Sequence, residues 1–180
     1  MNINPLTAID FYKTDHRRQY PLGTTEVYAN FTPRSARLAK LFKSCTDDHV
    51  VFFGLQYFMK DFLIDAWNNH FFSKDKETAV KAYKRRMDFA LGQDAIEVTQ
   101  IAALHDLGYL PIKIKALPEG MLVPIGVPVL TIVNTHPDFF WLTNYLESVM
   151  SCYLWKPITS ATIAREYKRL LIPFIPSKGG

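Results

Sequence analysis

From Val50 to Ile64 the chain is apolar almost without interruption: Val50, Val51, Phe52, Phe53, Leu55, Phe58, Met59, Phe62 and Leu63 leave no continuous polar face. A helix apolar on all sides is a buried helix, so this block predicts the centre of a core. It is shorter than the ~18 apolar residues of a membrane span, as is every other apolar run. A chain of 180 residues suits one compact domain. At that size folding buries roughly 70% of the unfolded chain's surface, with no need for a disulfide or metal staple. The 14% aromatic content excludes a disordered chain. Cys45 and Cys152 stand far apart with no CxxC spacing, which suggests reduced thiols in a cytosolic protein. The opening Met1-Asn2-Ile3-Asn4-Pro5 lacks the basic-then-apolar layout of a secretory signal.

Around the apolar block the pattern changes from segment to segment. Asn4-Pro5 predicts an N-cap and a helix running to about His16, ended by Pro21-Leu22-Gly23. Glu26 to Phe31 alternates as a strand with Val27, Ala29 and Phe31 on one face. Arg34 to Lys43 reads as a basic connection or short helix. Ser73 is the expected cap of a helix that presents Val80, Tyr83, Met87 and Ala90 together. Asp94-Ala95-Ile96-Glu97 resembles a capping box, and its helix should stop at Leu107 with Gly108 just beyond. Ile112 to Ala116 alternates again, Pro118-Glu119-Gly120 turns, and Pro124, Gly126 and Pro128 punctuate two further short strands. Asp138 is expected to cap a helix carrying Phe139, Leu142, Leu146 and Val149, and Thr159 or Ser160 a last one. The class is α+β.

Charge is unevenly distributed. Residues 1–43, 74–86 and 156–178 each carry a net +4, whereas the remainder carries −8. Such segments suit an anionic ligand, but no RNP, zinc-finger or helix-turn-helix pattern accompanies them, and nucleic acid is not the expected partner. No GxGxxG, GxxxxGK[ST] or GxSxG occurs. The five histidines show no HExxH or other ligand spacing, so a zinc site is not expected. His105 falls at a helix C-terminus, where an imidazolium is favoured, and Cys152 is expected as a packed thiol in an apolar helix. One segment does gather chemistry: Asp10-Phe11-Tyr12-Lys13-Thr14-Asp15-His16-Arg17-Arg18 packs acid, aromatic and base together. Taken alone it is equally an amphipathic helix with surface ion pairs.

That segment, followed by Gln19-Tyr20-Pro21, Val27-Tyr28, Phe31 and Arg34, resembles the opening of the nicotinamide phosphoribosyltransferase family, a branch of the type II phosphoribosyltransferases. The likeness continues in order through Val51–Tyr57, Leu110–Gly120, Val133-Asn134-Thr135, Trp141–Asn144 and Trp155–Glu166. It implies an α+β N-terminal domain, with mixed helices, a small antiparallel sheet and hammerhead-like hairpins, beside an α/β barrel. On that basis residues 1–137 would form the N-terminal domain, 138–172 a helical segment leading toward the largely missing barrel, and 173–180 an irregular tail. The family joins nicotinamide to the ribose of phosphoribosyl pyrophosphate, giving nicotinamide mononucleotide and pyrophosphate in NAD salvage. It works as a cytoplasmic homodimer with active sites at the dimer interface, uses Mg2+ with phosphoribosyl pyrophosphate, and takes ATP as an activator.

By resemblance, Asp10 and Tyr12 reach into the partner's barrel, where the Tyr12 ring stacks on nicotinamide, and Arg34 binds the diphosphate-bearing substrate across the interface. Elementary chemistry agrees with those roles. A neutral pyridine amide needs an aromatic face and polar groups at its edge. A pyrophosphate leaving group suits the planar guanidinium fork, and an oxocarbenium-like transition state leaves electrostatics and positioning to do most of the catalysis. The family's catalytic histidine, acid and phosphate loop match nothing here, so no catalytic residue and no cofactor or metal ligand is assigned in this chain. Family enzymes are more than twice as long, and Pro173 and Pro176 interrupt a helix that should continue. The expectation is a truncated or frameshifted product, or a piece of a longer chain, inactive alone. The alternative is a non-enzymatic dimerisation or docking module completing a separate barrel chain, suggested by more apolar bulk than the chain would readily bury. A weaker likeness of Ala116–Leu130 to biotinyl and lipoyl carrier hairpins lacks a lysine to modify. The choice of nicotinamide over nicotinic acid rests on resemblance alone.

Overall fold

The computed structural model describes residues 4–35 and 48–174. Beyond Ser35, the basic stretch expected as a connection or helix lies outside the described residues, as do Cys45 and the tail with Pro176. Asn4 accepts a hydrogen bond from the Leu6 amide at 3.0 Å, as an N-cap should. The helix it opens is not the single one expected from Pro5 to His16. The chain makes 3-10 turns at Pro5–Thr7 and Phe11–Thr14, then one α-turn, α1 (His16–Gln19). The short β1 (Tyr28–Phe31) follows, with Ala29 and Phe31 turned inward. Val27 does not join it, because side chains take its backbone groups: its N–H donates to Asn134 Oδ1 at 2.8 Å and its carbonyl accepts from Thr143 Oγ1 at 3.1 Å.

The apolar block divides. His49–Val51 is a strand, β2, and only from Leu55 does a helix begin. Gly54 separates the two at φ +103°, a backbone angle that side chains resist. The new helix end is capped from a distance: Glu119 Oε1 accepts from the amides of Gly54 and Gln56 at 2.9 and 3.0 Å. After α2 (Leu55–Phe58) the helix widens into π turns over Met59–Ala66 and Asn68–Phe72. The wider turn explains which residues point inward. Phe58, Phe62, Ala66 with Trp67, and Phe71 are buried at steps of four to five residues, whereas Phe53, Tyr57 and Ile64 are exposed. The helix is therefore not buried on all sides, as an all-round apolar helix is expected to be.

Two more helices follow in sequence and pack on each other. In α3 (Lys76–Leu91) Ala79, Tyr83 and Met87 are buried, Val80 is partly covered and Ala90 is exposed. Asp75, not Ser73, caps it by accepting from the Thr78 amide at 2.9 Å, because π turns hold the chain helical up to Ser73. α4 (Thr99–Leu107) ends as expected, with Gly108 at φ +79° donating to the carbonyls of Leu104 and His105. Its expected capping box does not form. Asp94 instead adopts φ +57°, takes the Lys84 ammonium on its carboxylate at 2.6 Å, and donates its amide to Asp88.

β3 (Ile112–Ala116) and β5 (Leu130–Asn134) pair antiparallel, Ile114 opposite Ile132, and β5 pairs with β1 on its other edge. β2 pairs antiparallel with β4 (Leu122–Pro124) in a separate two-stranded sheet. Asp138 does not cap the helix after β5. It lies inside a 3-10 turn, Pro137–Phe139, whose cap is His136. Phe139 in that turn, Leu142 on α5 (Leu142–Tyr145), Leu146 between the helices and Val149 on α6 (Glu147–Leu171) are nevertheless buried. No cap interrupts α6 at Thr159 or Ser160. Thr159 donates back to the Trp155 carbonyl at 2.7 Å and Thr162 to that of Ile158, so both hydroxyls serve the helix from within. Pro157 is accommodated inside it, and the helix ends at Leu171, before Pro173. Val149, Met150, Leu154 and Ile158 form its inner face. Cys152 falls between those positions, so it is exposed, not packed.

Candidate functional site

The N-terminal segment contributes almost no regular structure, and specific bonds hold it in place. The buried Tyr145 hydroxyl donates to the Leu6 carbonyl at 2.6 Å. The Asn144 amide donates to the hydroxyl of Tyr20, and Arg18 donates to the Ala95 carbonyl at 3.1 Å. Between these anchors the segment meets the first turn of α6. Ser148 Oγ donates to the Asp10 carboxylate at 2.6 Å. One helical residue earlier, Glu147 accepts from the Lys13 ammonium at 2.5 Å. Asp10 and Lys13 thus clasp consecutive residues of α6.

Tyr12 sits between the two clasps and remains 60% exposed. Its ring lies 5.1 Å from that of His16, tilted by 58°, and the Lys13 ammonium stands 5.2 Å from its centroid. An exposed aromatic side chain on a firmly tied backbone is suited to stacking on a planar ligand, since little conformational freedom remains to be lost on binding.

Arg34 lies on a groove of about 810 Å3 between β1 and α6. Asn30, Asn144, Glu147 and Trp155 also line it. Arg34 is exposed, and among the described residues no carboxylate pairs with it. Asp10 and Tyr12 are brought together on one clasp, and Glu147 connects that clasp to the groove of Arg34. Lys13, Glu147 and Ser148 are the residues that the sequence does not reveal. A lysine among charged neighbours reads as solvated, and no local pattern at Glu147-Ser148 announces a partner more than a hundred residues away.

A second polar cluster joins the π turns to α6. Tyr153 donates to Asp61 at 2.9 Å and stacks on Tyr57 at 5.8 Å. Burial, and then the Asp61 carboxylate, pushes the Tyr153 phenol far above its ordinary value, and the charge of Asp61 raises that of Tyr57. Both stay neutral donors. His105 sits in the last turn of α4 with Nε2 2.9 Å from the Lys74 carbonyl and its ring edge-on to Phe71. Among the described residues no three His, Cys, Asp or Glu side chains gather as a metal site, and no helix is long and apolar enough to cross a membrane.

The family described as "Nicotinamide phosphoribosyltransferase, N-terminal domain" matches residues 4–114. A protein named nicotinamide phosphoribosyltransferase from Acinetobacter baylyi is 63% identical over 177 residues, which cover 98% of this chain and 35% of that protein. One of the same name from Xanthomonas campestris is 30% identical over 172 residues, covering 96% of this chain and 33% of its own. The chain therefore spans about a third of the length of these curated relatives. Among solved structures, human nicotinic acid phosphoribosyltransferase superposes with a TM-score of 0.57 at 17% identity, over 94% of this chain and 29% of that one, a likeness of fold.

Proposed function

The chain belongs to the nicotinamide phosphoribosyltransferase family through its N-terminal domain, and from that premise we propose that it supplies the substrate-recognising half of a site that joins nicotinamide to phosphoribosyl pyrophosphate. Tyr12 stacks on the nicotinamide ring, Asp10 orients the clasp beside it, and Arg34 takes the diphosphate. The rest of the site comes from the family's α/β barrel on a second subunit of a homodimer in the cytoplasm. Any Mg2+ arrives with the phosphoribosyl pyrophosphate, as part of that substrate.

The observation that supports this reading best is the pose of Tyr12: an exposed ring on a backbone tied at Asp10 and Lys13, joined through Glu147 to a groove that Arg34 lines. A folded domain gains nothing in stability from such a ring, but a planar ligand does gain from it. Among the described residues no group is placed to hold the ribose or activate its anomeric carbon, and the 180 residues by themselves should not turn over. To test the reading, the 180 residues are joined in place of the corresponding segment of the A. baylyi relative. The joined enzyme should form nicotinamide mononucleotide, and the separate chain should not. Tyr12→Ala should weaken nicotinamide use by roughly ten- to a hundredfold in kcat/KM, the worth of one aromatic stacking contact of ~1.5–3 kcal/mol. Full turnover without that ring, or by the isolated chain, would overturn the reading.

A further inference from the structure

Lys13 is a puzzle if it is only structural. Its side chain is 2% exposed, whereas that of its partner Glu147 is 64% exposed. Withdrawing an ammonium from water is costly, and a methionine of similar length would fill the same space with no charge to satisfy. The ammonium has two neighbours that the proposed site uses. It faces the Tyr12 ring at 5.2 Å, one peptide unit away in the same 3-10 turn. It also ends on Glu147, a residue that lines the groove of Arg34.

We propose that Lys13 is a positioning residue that fixes the Tyr12 ring from behind and neutralises Glu147, so that Arg34 meets a polyanionic substrate without a competing carboxylate. The proposal rests on the reading of Tyr12 and Arg34 given above. A cation beside an aromatic ring is held by the ring's quadrupole, and the short turn leaves the two side chains little freedom to part. A Glu147 carboxylate freed from Lys13 would repel a diphosphate bound in the same groove, less so as salt screens it. Lys13 thus acts on both substrates through other residues and touches neither.

The consequence is an opposition of sign that a purely structural pair would not produce. In the joined enzyme, Lys13→Met frees the Glu147 charge, and the KM for phosphoribosyl pyrophosphate should rise roughly three- to tenfold, more at low salt. Glu147→Gln removes that charge, and the same KM should fall or stay level. The double variant should return it to the parent value while the KM for nicotinamide stays raised, because Tyr12 has lost its cation. Should Lys13→Met fail to fold, Glu147→Gln alone decides, since a rise in the phosphoribosyl pyrophosphate KM would overturn the proposal. Equal shifts of one sign in both single variants, or no shift in Lys13→Met, would also overturn it. An inactive parent enzyme would overturn the underlying reading instead, so the two failures are distinguishable.

Discussion

Gly54 lies directly against the ring of Pro157: a methyl group on its Cα would sit 2.7 Å from Pro157 Cβ and 2.9 Å from Pro157 Cγ. The contact joins the start of α2 to the middle of α6, and it occurs at φ +103°, where a side chain is strained even with free space. Gly54→Ala should therefore destabilise by about 2 kcal/mol or more through overpacking and backbone strain together. Urea denaturation of Gly54→Ala, Pro157→Ala and the double variant should show coupling, with Pro157→Ala recovering the steric part of the loss. Additive losses would mean that the two residues do not meet.

Tyr145→Phe should cost about 1–2 kcal/mol, because it leaves the buried Leu6 carbonyl without its donor. Burial keeps the phenol pKa well above its ordinary value, so the hydroxyl donates throughout the accessible pH range. Amide exchange over residues 4–9 should quicken more than exchange in α3. Uniform change across the chain would place the hydroxyl's role elsewhere.

Asp75 makes α3 sensitive to acid. The Thr78 amide and then the Thr78 hydroxyl hold its carboxyl below the ordinary value of 3.8. A carboxyl lowered in the folded state contributes stability above its unfolded value, and that contribution disappears as pH falls through the lowered one. Between about pH 5 and pH 2 the melting temperature should fall less steeply in Asp75→Asn, which keeps an acceptor oxygen but does not titrate. Parallel pH profiles would show that the cap contributes nothing to this dependence.

The Lys13–Glu147 pair should respond asymmetrically to truncation. Lys13→Met leaves only an exposed carboxylate and should change stability by less than about 1 kcal/mol, whereas Glu147→Ala strands a buried ammonium and should cost about 1–3 kcal/mol. Chemical denaturation of the two variants separates these outcomes, and equal losses would contradict the burial of Lys13.

Period and punctuation made much of the fold legible. The alternation at Ile112–Ala116 becomes β3 over the same residues, and Gly108 ends α4 where a left-handed residue is needed. Where a local pattern competes with a distant partner, the sequence misleads. Val50 and Val51 suit a helix as well as a strand, and β4, some seventy residues later, decides the matter. Aromatic residues every four to five positions are too close to the α period to announce π turns. Thr159 resembles a cap because its hydroxyl can serve a helix from outside or from within. At the candidate site, resemblance proposes Asp10, Tyr12 and Arg34, but the clasp that ties Asp10 and Lys13 to α6 is not legible in the sequence. It depends on a lysine being buried, which its charge and its neighbours argue against.

The clasp has a mechanical side as well. Helix α6 runs 25 residues, or about 37 Å at 1.5 Å per residue. Its first turn holds Asp10 and Lys13, and its last turn exposes Leu170 and Leu171. Its middle is seated on β2 and α2 through Val149, Met150, Leu154 and Ile158, so the Tyr12 segment is tied to the part of α6 that the core holds, and Leu170 and Leu171 lie at the end it does not.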